Sequence, residues 1–488
     1  MQFAAAFRVL GILLMLFSLS LIPPIGISLW FRDGNLLAFV DTLVFTLIAG
    51  ILIWLPTRHA QRELRTRDGF FIVTLMWAGM SAFAAIPFVL TPELSANYAD
   101  AFFEAMSGLT TTGASAFSGL DKLPESVLWY RQQLNFIGGG GVIVLAIAVL
   151  PMLGIGGMSL FKAESAGPMK DSKLTPRIKE TAKALWFVYV GLTVLCAGAY
   201  WFAGMTLFDA VGHAFSTVAT AGFSTHDASF GYWNSLTIEL ICILFMLLGS
   251  LNFGLHFLAW RHVHKGRPAF GLYWNDPEFR FFIAFVTGIT GLVTAGLLVH
   301  STYQDWPEAL RYAAFQSVSL ITSTGFLTAD FAQWPGYVPW LLVFAFFFGG
   351  CAGSTSGGIK AIRFLLLTKQ GIREFQRLIH PNGVFLVKIG DSVVSDRVAE
   401  AVWSFISLYI LVTLVLTLLV MATGVPFDLA FSGIAASINN TGPGLGVLSG
   451  NVSSLNDTAV WLMSFAMLVG RLEVFTVLIL LTPMFWRR

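Results

Sequence analysis

Charge-free apolar runs constrain this chain more than any other feature. Leu10–Leu21 and Phe405–Val420 contain no Asp, Glu, Lys or Arg. A helix that crosses a bilayer needs about 20 mostly apolar residues, and such runs recur often enough here for about ten spans. Charged residues make up 11% of the 488, against roughly 25% in an ordinary soluble chain. The 45 Phe residues suit lipid-facing and interfacial surfaces. The expected class is an all-α polytopic membrane protein, which excludes a soluble enzyme.

The charges are clustered. Four Arg lie between Arg58 and Arg67, six Lys or Arg between Lys162 and Lys183, four between Arg261 and Arg280, and seven between Lys360 and Arg397. Basic residues mark cytoplasmic connections, while 92–131 and 204–235 are poor in them. With Arg8 near one end and Arg487 and Arg488 at the other, both termini are expected inside, which requires an even number of spans. Cys196, Cys242 and Cys351 sit in apolar segments without metal-ligand spacing or a disulfide framework. The first apolar run lacks a small-residue cleavage site and reads as a retained helix.

The chain also repeats itself. Thr110-Thr-Thr-Gly113, Ala219-Thr-Ala-Gly222, Thr322-Ser-Thr-Gly325 and Asn439-Asn-Thr-Gly442 have glycines 109, 103 and 117 residues apart. Each ends a stretch too short to span (Ala99–Leu109, Phe208–Ala219, Leu310–Ile321, Phe427–Ile438), with a long apolar helix before and after it. The unit is helix, half-helix, polar Gly loop, helix. A two-helix extension (1–68; helices near 7–30 and 36–56) precedes repeats at 69–160, 161–259, 260–366 and 399–488, with a cytoplasmic connection at 367–398.

Irregular backbone at membrane depth is tolerated only when buried in protein or lining water. Four such loops can converge on one axis, where their carbonyls replace an ion's hydration shell. The half-helices would aim negative C-terminal dipole ends at the same place, favouring a cation. The residues expected to line this path are Thr111, Thr112 and Gly113; Thr220, Ala221 and Gly222; Ser323, Thr324 and Gly325; and Asn440, Thr441 and Gly442. Glycine suits the last position because it reaches positive φ cheaply and admits close backbone approach. Thr and Ser hydroxyls would hold the loops from behind. The opposing reading, four chance Gly turns, leaves the shared spacing and flanking helices unexplained.

Several stretches then carry a resemblance: Phe102–Gly113, Gly138-Gly-Gly-Gly-Val142, Pro176-Arg-Ile-Lys179, Asn252-Phe-Gly-Leu-His256, Gly349–Lys360 and Gly470-Arg-Leu-Glu473. Through them the whole chain resembles the Trk/Ktr/HKT superfamily, and within it the TrkH-type potassium uptake subunits of bacteria, whose branch the two extra N-terminal helices also match. The resemblance implies one K⁺ pore formed by the four repeats, with K⁺ as the transported ion and the only metal. No cofactor and no enzymatic activity are implied. It further implies a homodimer in the bacterial inner membrane and a cytosolic TrkA-like nucleotide-binding regulatory ring. Gly113 leans toward potassium, since Ser at this position accompanies sodium transport in plant relatives. The fourth loop departs from the others, with Asn439 and Asn440 before its glycine and Pro443 after it.

Other residues admit two readings each. The run Gly349, Gly350, Gly353, Ser354, Thr355, Ser356, Gly357, Gly358 breaks a helix; it is an intramembrane gate, as the resemblance implies, or a small-residue packing surface. Lys360 after it supports that gate or anchors a helix end. Arg471, in the apolar final helix Ala459–Pro483, is a cationic barrier in the pore or a structural partner of Glu473 or the glycine run. Residues two apart on a helix face different ways, which argues against Glu473. Asn252 and His256, four apart, share a helical face, and His256 reads as a packed, hydrogen-bonded side chain. Asp41 reads as an interfacial hydrogen-bonding group. Two other functions compete: a secondary cation transporter coupled to Na⁺ or H⁺, and an intramembrane serine hydrolase using Ser354 or Ser356 with His256. Four parallel units, where such transporters usually have two inverted ones, disfavour the first. The second leaves the loops without a purpose.

Overall fold

The structure, a computed structural model, describes residues 3–59, 66–148, 178–390 and 392–487. Much of the basic run from Lys162 to Lys183, the start of the Pro176–Lys179 stretch and the expected boundary at 160/161 lie outside them. The described chain is almost entirely helical, apart from a two-stranded antiparallel ladder that pairs Lys388 with Val393 and Ile389 with Ser392.

Among the described residues, six helices are long and apolar enough to cross a membrane, and two bent pairs raise the number to eight. The 24-residue helix Glu125–Ala148 and the broken pair Val338–Ala345 and Ala361–Ile379 follow the first and third half-helices and are not among these eight. The N-terminal extension is Phe3–Leu19, Ile22–Phe31 and Leu36–Thr57; the first span is interrupted at Ser20 and Leu21. Gly11 and Gly50 let its two spans meet, since a Cβ on Gly11 would lie 2.8 Å from Gly50 O and one on Gly50 2.9 Å from Gly11 O.

Four half-helices sit between the long ones: Tyr98–Leu109, Leu207–Val218, Trp306–Ile321 and Phe427–Ile438. The third starts at Trp306, four residues before the apolar stretch read from sequence, because Pro307 in its first turn tolerates a helix start. Asn97 and Thr206 cap the first two, accepting from the Asp100 and Asp209 amides at 2.9 and 3.1 Å. Each half-helix carries an acidic residue in its first turn (Asp100, Asp209, Glu308, Asp428), which suits the positive end of the dipole.

The buried core divides in two. One cluster joins the extension with repeats 1 and 4, and the other is built mainly from repeats 2 and 3. The four loops lie where these halves meet.

The last span differs from the expected continuous helix Ala459–Pro483. Its helix ends at Arg471, and the chain turns by 111° before Phe475–Leu481. Glu473 and Val474 both have positive φ, 57° and 51°, conformations that cost a β-branched residue of order 1–3 kcal/mol. The second span of repeat 2 bends by 103° between Leu236–Ser250 and Phe253–His264. Asn252 is therefore the N-cap of the second piece, its Oδ1 accepting from Gly254 N at 2.8 Å, and does not share a helical face with His256.

Candidate functional site

All four half-helices end in the same way. The amides of Thr112, Ala221, Thr324 and Thr441 donate to Ser107 O, Ser216 O, Ser319 O and Ala436 O, each at 2.8 Å. The preceding amides of Thr111, Thr220, Ser323 and Asn440 donate to Gly108 O, Thr217 O, Leu320 O and Ser437 O at 3.1–3.2 Å. This pair of bonds is a Schellman closure, which requires a left-handed residue at its centre. Thr111, Thr220, Ser323 and Asn440 supply it with φ of 51–54°. Threonine adopts that conformation only at a cost, and such strain concentrates at functional sites. Nothing in the threonines signalled it from sequence; Asn440, the residue that departs from the pattern, is the best suited to it.

Two residues later the four glycines close a ring. A Cβ on Gly113 would collide with the backbone of Gly222, and one on Gly222 would lie 2.7 Å from Thr324 O. One on Gly325 would meet Thr441 O, and one on Gly442 would lie 2.8 Å from Thr112 O. The loops thus touch in the order 1–2–3–4–1, and all four glycines line a single cavity of about 440 Å³ together with the segments that follow them. Gly113, Gly325 and Gly442 have φ of 80–102°. Gly222 corrects the expectation of positive φ throughout: it lies outside the left-handed region, and close approach alone excludes a side chain there.

The loops are braced from behind. Thr110 pairs with Thr112, and Thr322 with Thr324, hydroxyl to hydroxyl at 2.8 Å. Asn440 Nδ2 donates to Thr112 Oγ1 and to Met467 O, both at 3.0 Å, tying loop 4 to loop 1 and to the last span. In three repeats a glycine lets the second helix seat on the carbonyl end of the half-helix: Gly138 on Leu109 O, Gly249 on Val218 O and Gly470 on Ile438 O. Repeat 3 replaces this contact with the Gly349–Gly358 segment, whose Ser356 hydroxyl donates to Thr322 O at 2.5 Å.

That segment is neither helix nor strand. It is also bonded to more than one quadrant. Thr355 Oγ1 donates to Val218 O at 2.9 Å and lies 3.2 Å from Thr220 Oγ1. Gly357 N donates to Ser323 Oγ at 2.5 Å, and a Cβ on Gly357 would lie 2.9 Å from Asn440 Cβ. Cys351 N donates to Ser250 O at 2.8 Å, and Gly349 N to Ile359 O at 2.9 Å. Ser354 Oγ turns back to Cys351 O at 2.6 Å. Gly350 N donates to Ser356 Oγ, and Gly353 O accepts from Phe253 N, both at 3.1 Å. Gly358 returns the chain with φ 67°, and Lys360 donates to Ser356 O. The small residues therefore do pack closely, under the ends of half-helices 2, 3 and 4.

Arg471 is 7% exposed and donates from Nη1 to Thr355 O at 3.0 Å, while its Nε and Nη2 have no hydrogen-bond partner among the described residues. No carboxylate of the described residues pairs with it. Glu473 instead binds Arg363 at 2.7 Å, and the Arg363 guanidinium stacks 4.0 Å over Phe405. His256 is engaged on both nitrogens, by Tyr273 Oη and Leu248 O at 2.8 Å. No His–Ser pair forms with Ser354 or Ser356, which removes the hydrolase constellation. Asp41 is exposed on its helix, without a hydrogen bond to described protein atoms.

On the other side of the ring the cavity holds a group that sequence reasoning missed. His226 Nδ1 meets Asp121 Oδ1 at 2.5 Å, its Nε2 lies 3.6 Å from Asp209 Oδ1, and its ring stacks on Tyr232 at 3.6 Å. Burial pulls the imidazole pKa down, but the two carboxylates pull it further up, and the net shift is upward.

Residues 36–488 match the TrkH family, described as cation transport protein. The Trk system potassium uptake protein TrkH of Halomonas elongata is 52% identical, with 99% of this chain and 98% of that protein aligned. The corresponding TrkH of Vibrio parahaemolyticus is 50% identical over the full length of both. The crystal structure of the potassium transporter TrkH from Vibrio parahaemolyticus superimposes with a TM-score of 0.92 at 48% identity, covering all of both chains. With four pseudo-equivalent loops closed into one ring and sequence identity of this extent, the chain belongs to the TrkH family of cation transport proteins.

Proposed function

We propose that this protein carries K⁺ across the bacterial inner membrane through the ring of four loops. The observation that carries the reading is the ring itself: four strained backbone turns, each at a half-helix C-terminus, converge on one cavity with their glycines in mutual contact. Negative dipole ends and backbone oxygens suit a cation that sheds its water. Relatives aligned over the whole chain are named potassium uptake proteins. In this reading Thr111–Gly113, Thr220–Gly222, Ser323–Gly325 and Asn440–Gly442 form the selectivity filter. The Gly349–Lys360 segment beneath it is the gate, and Arg471, bonded to that gate at Thr355 O, is a cationic barrier. Both termini face the cytoplasm, two copies associate, and a TrkA-like nucleotide-binding subunit docks on the basic connections.

Ion flux into liposomes under K⁺, Rb⁺, Na⁺ and Li⁺ gradients tests this. Wild type should favour K⁺ and Rb⁺, and Gly113→Ser should raise Na⁺ entry relative to K⁺, because its side chain meets the Gly222 backbone. An unchanged ratio in folded Gly113→Ser rejects the filter assignment. Flux that requires a proton or sodium gradient would favour the coupled transporter.

A further inference from the structure

The position nine residues before each ring glycine holds Glu104, His213, Gln316 and Gly433. Three of these side chains reach forward to the segment that leaves their own loop. The Glu104 carboxylate accepts from Ala116 N at 2.7 Å and from Ser115 Oγ at 3.1 Å. His213 Nε2 meets Ser224 Oγ at 2.9 Å. Gln316 Nε2 donates to Ala329 O at 2.9 Å. In repeat 4 the side chain is absent because Leu448 occupies the space, 2.9 Å from where a Cβ would stand, and Ser432 one position earlier takes Leu445 N instead.

Repeat 1 alone uses a charge here, and the charge is shared with repeat 2. Arg131, on the second helix of repeat 1, donates from Nε to Glu104 at 2.6 Å, from Nη1 to Ser224 O at 2.9 Å and from Nη2 to Ser115 Oγ at 3.1 Å. Its guanidinium lies 4.3 Å over the Phe223 ring, and Gln132 Nε2 donates to Phe223 O at 2.9 Å. Arg131 is 1% exposed and Glu104 0%. A buried ion pair is a poor source of stability compared with apolar packing, so its presence at the back of a membrane site points to a positional task. Both Ser115 and Ser224 stand two residues beyond a ring glycine and line the same cavity as Arg131. Gln132 and Arg131 together turn the Phe223 and Ser224 carbonyls into protein, in the loop whose glycine alone lacks positive φ.

We infer that Glu104 and Arg131 are positioning residues for ion discrimination: one guanidinium sets the spacing between the outgoing segments of loops 1 and 2, and with it the geometry of Gly113 and Gly222. This rests on the filter reading proposed above. Lysine at 131 keeps the charge but places its donors on one nitrogen, without the planar spread that lets Arg131 reach Glu104, Ser224 and Ser115 from three separate atoms.

The test is the Na⁺/K⁺ flux ratio of purified full-length protein in liposomes, with folding followed by gel filtration and thermal unfolding. Arg131→Lys and Glu104→Gln should raise the ratio about 2- to 10-fold, the range that about 0.5–1.4 kcal/mol of lost hydrogen bonding converts to. Arg311→Lys is the control: Arg311 pairs with Glu239 at 2.6 Å, and neither lines the cavity. Should the charged-pair variants fail to fold, Ser115→Ala decides, since it removes only the hydroxyl between the two charges; a raised ratio supports the inference and an unchanged one overturns it. Folded variants with wild-type ratio overturn the inference while leaving the proposed function standing. Wild type that does not select K⁺ over Na⁺ sinks the proposed function, and the inference with it.

Discussion

Gly470→Ala sets two energies against each other, and the structure decides which wins. In an open helix the change gains up to about 1 kcal/mol from propensity alone. Here the new Cβ would collide with Ile438 O, lie 2.7 Å from Ile438 C and 3.1 Å from Asn440 Oδ1. Ile438 is the last residue of the fourth half-helix, so the obstacle is backbone held by a Schellman closure and cannot rotate aside. Overpacking of this kind costs typically 1–3 kcal/mol, and a rigid neighbour places this site in the upper part of that range, leaving a net loss of about 1–2 kcal/mol. Gly191, in the helix Ile178–Phe202, has no atom of the described residues within 4 Å of where a Cβ would stand, so Gly191→Ala should be neutral or stabilising. Thermal unfolding of both variants in detergent, with K⁺ flux in liposomes, gives the comparison. Gly470→Ala should unfold earlier and carry less K⁺. A Gly470→Ala midpoint at or above wild type, or an equal fall in Gly191→Ala, refutes the seating of the last span on the half-helix carbonyl.

Because its folded pKa is raised, His226 contributes stability that is complete below its ordinary value of about 6.5 and is lost as pH rises through the raised value. The stability gap between wild type and His226→Gln should therefore narrow from about pH 6.5 upward; a gap that widens with pH contradicts the Asp121–His226 pairing. Arg471→Met removes the charge and the bond to Thr355 O while keeping most of the length, so K⁺ flux should rise with little change in ion preference. A wild-type rate in folded Arg471→Met would show that charge is not the barrier. Arg373 and Arg377 should separate on charge reversal. Arg373 is 7% exposed and bound to Asp396 at 2.5 Å, so it is not open to a docking partner, and Arg373→Glu should lower stability. Arg377 is exposed, so Arg377→Glu should leave stability intact and weaken binding of a nucleotide-binding partner in a pull-down. The opposite order would place the docking surface elsewhere.

The sequence by itself determined the class, the fourfold repeat and the positions of the loops. Charge-free runs can be satisfied only by spanning helices, and four Thr/Ser/Asn-X-Gly segments between such runs leave few alternatives to re-entrant loops. The ends of the half-helices were legible to within a few residues because the polar loop interrupts the apolar run abruptly. Four features were not legible in the sequence. Thr111 and Thr220 are left-handed because the half-helix closure imposes it against their own preference. Gly222 is excluded from bearing a side chain by Thr324 O of the next repeat, not by its own φ. Glu473 passes over Arg471 for Arg363, 110 residues away, because the last helix unwinds at Leu472–Val474 and turns. Arg131 looked like an ordinary charge near a helix start, since nothing local reveals that Glu104, Ser115 and Ser224 converge on it. Periodicity and composition report which surfaces a segment prefers to bury, whereas the ring, its braces and its cavity exist only once four separate repeats meet around one axis.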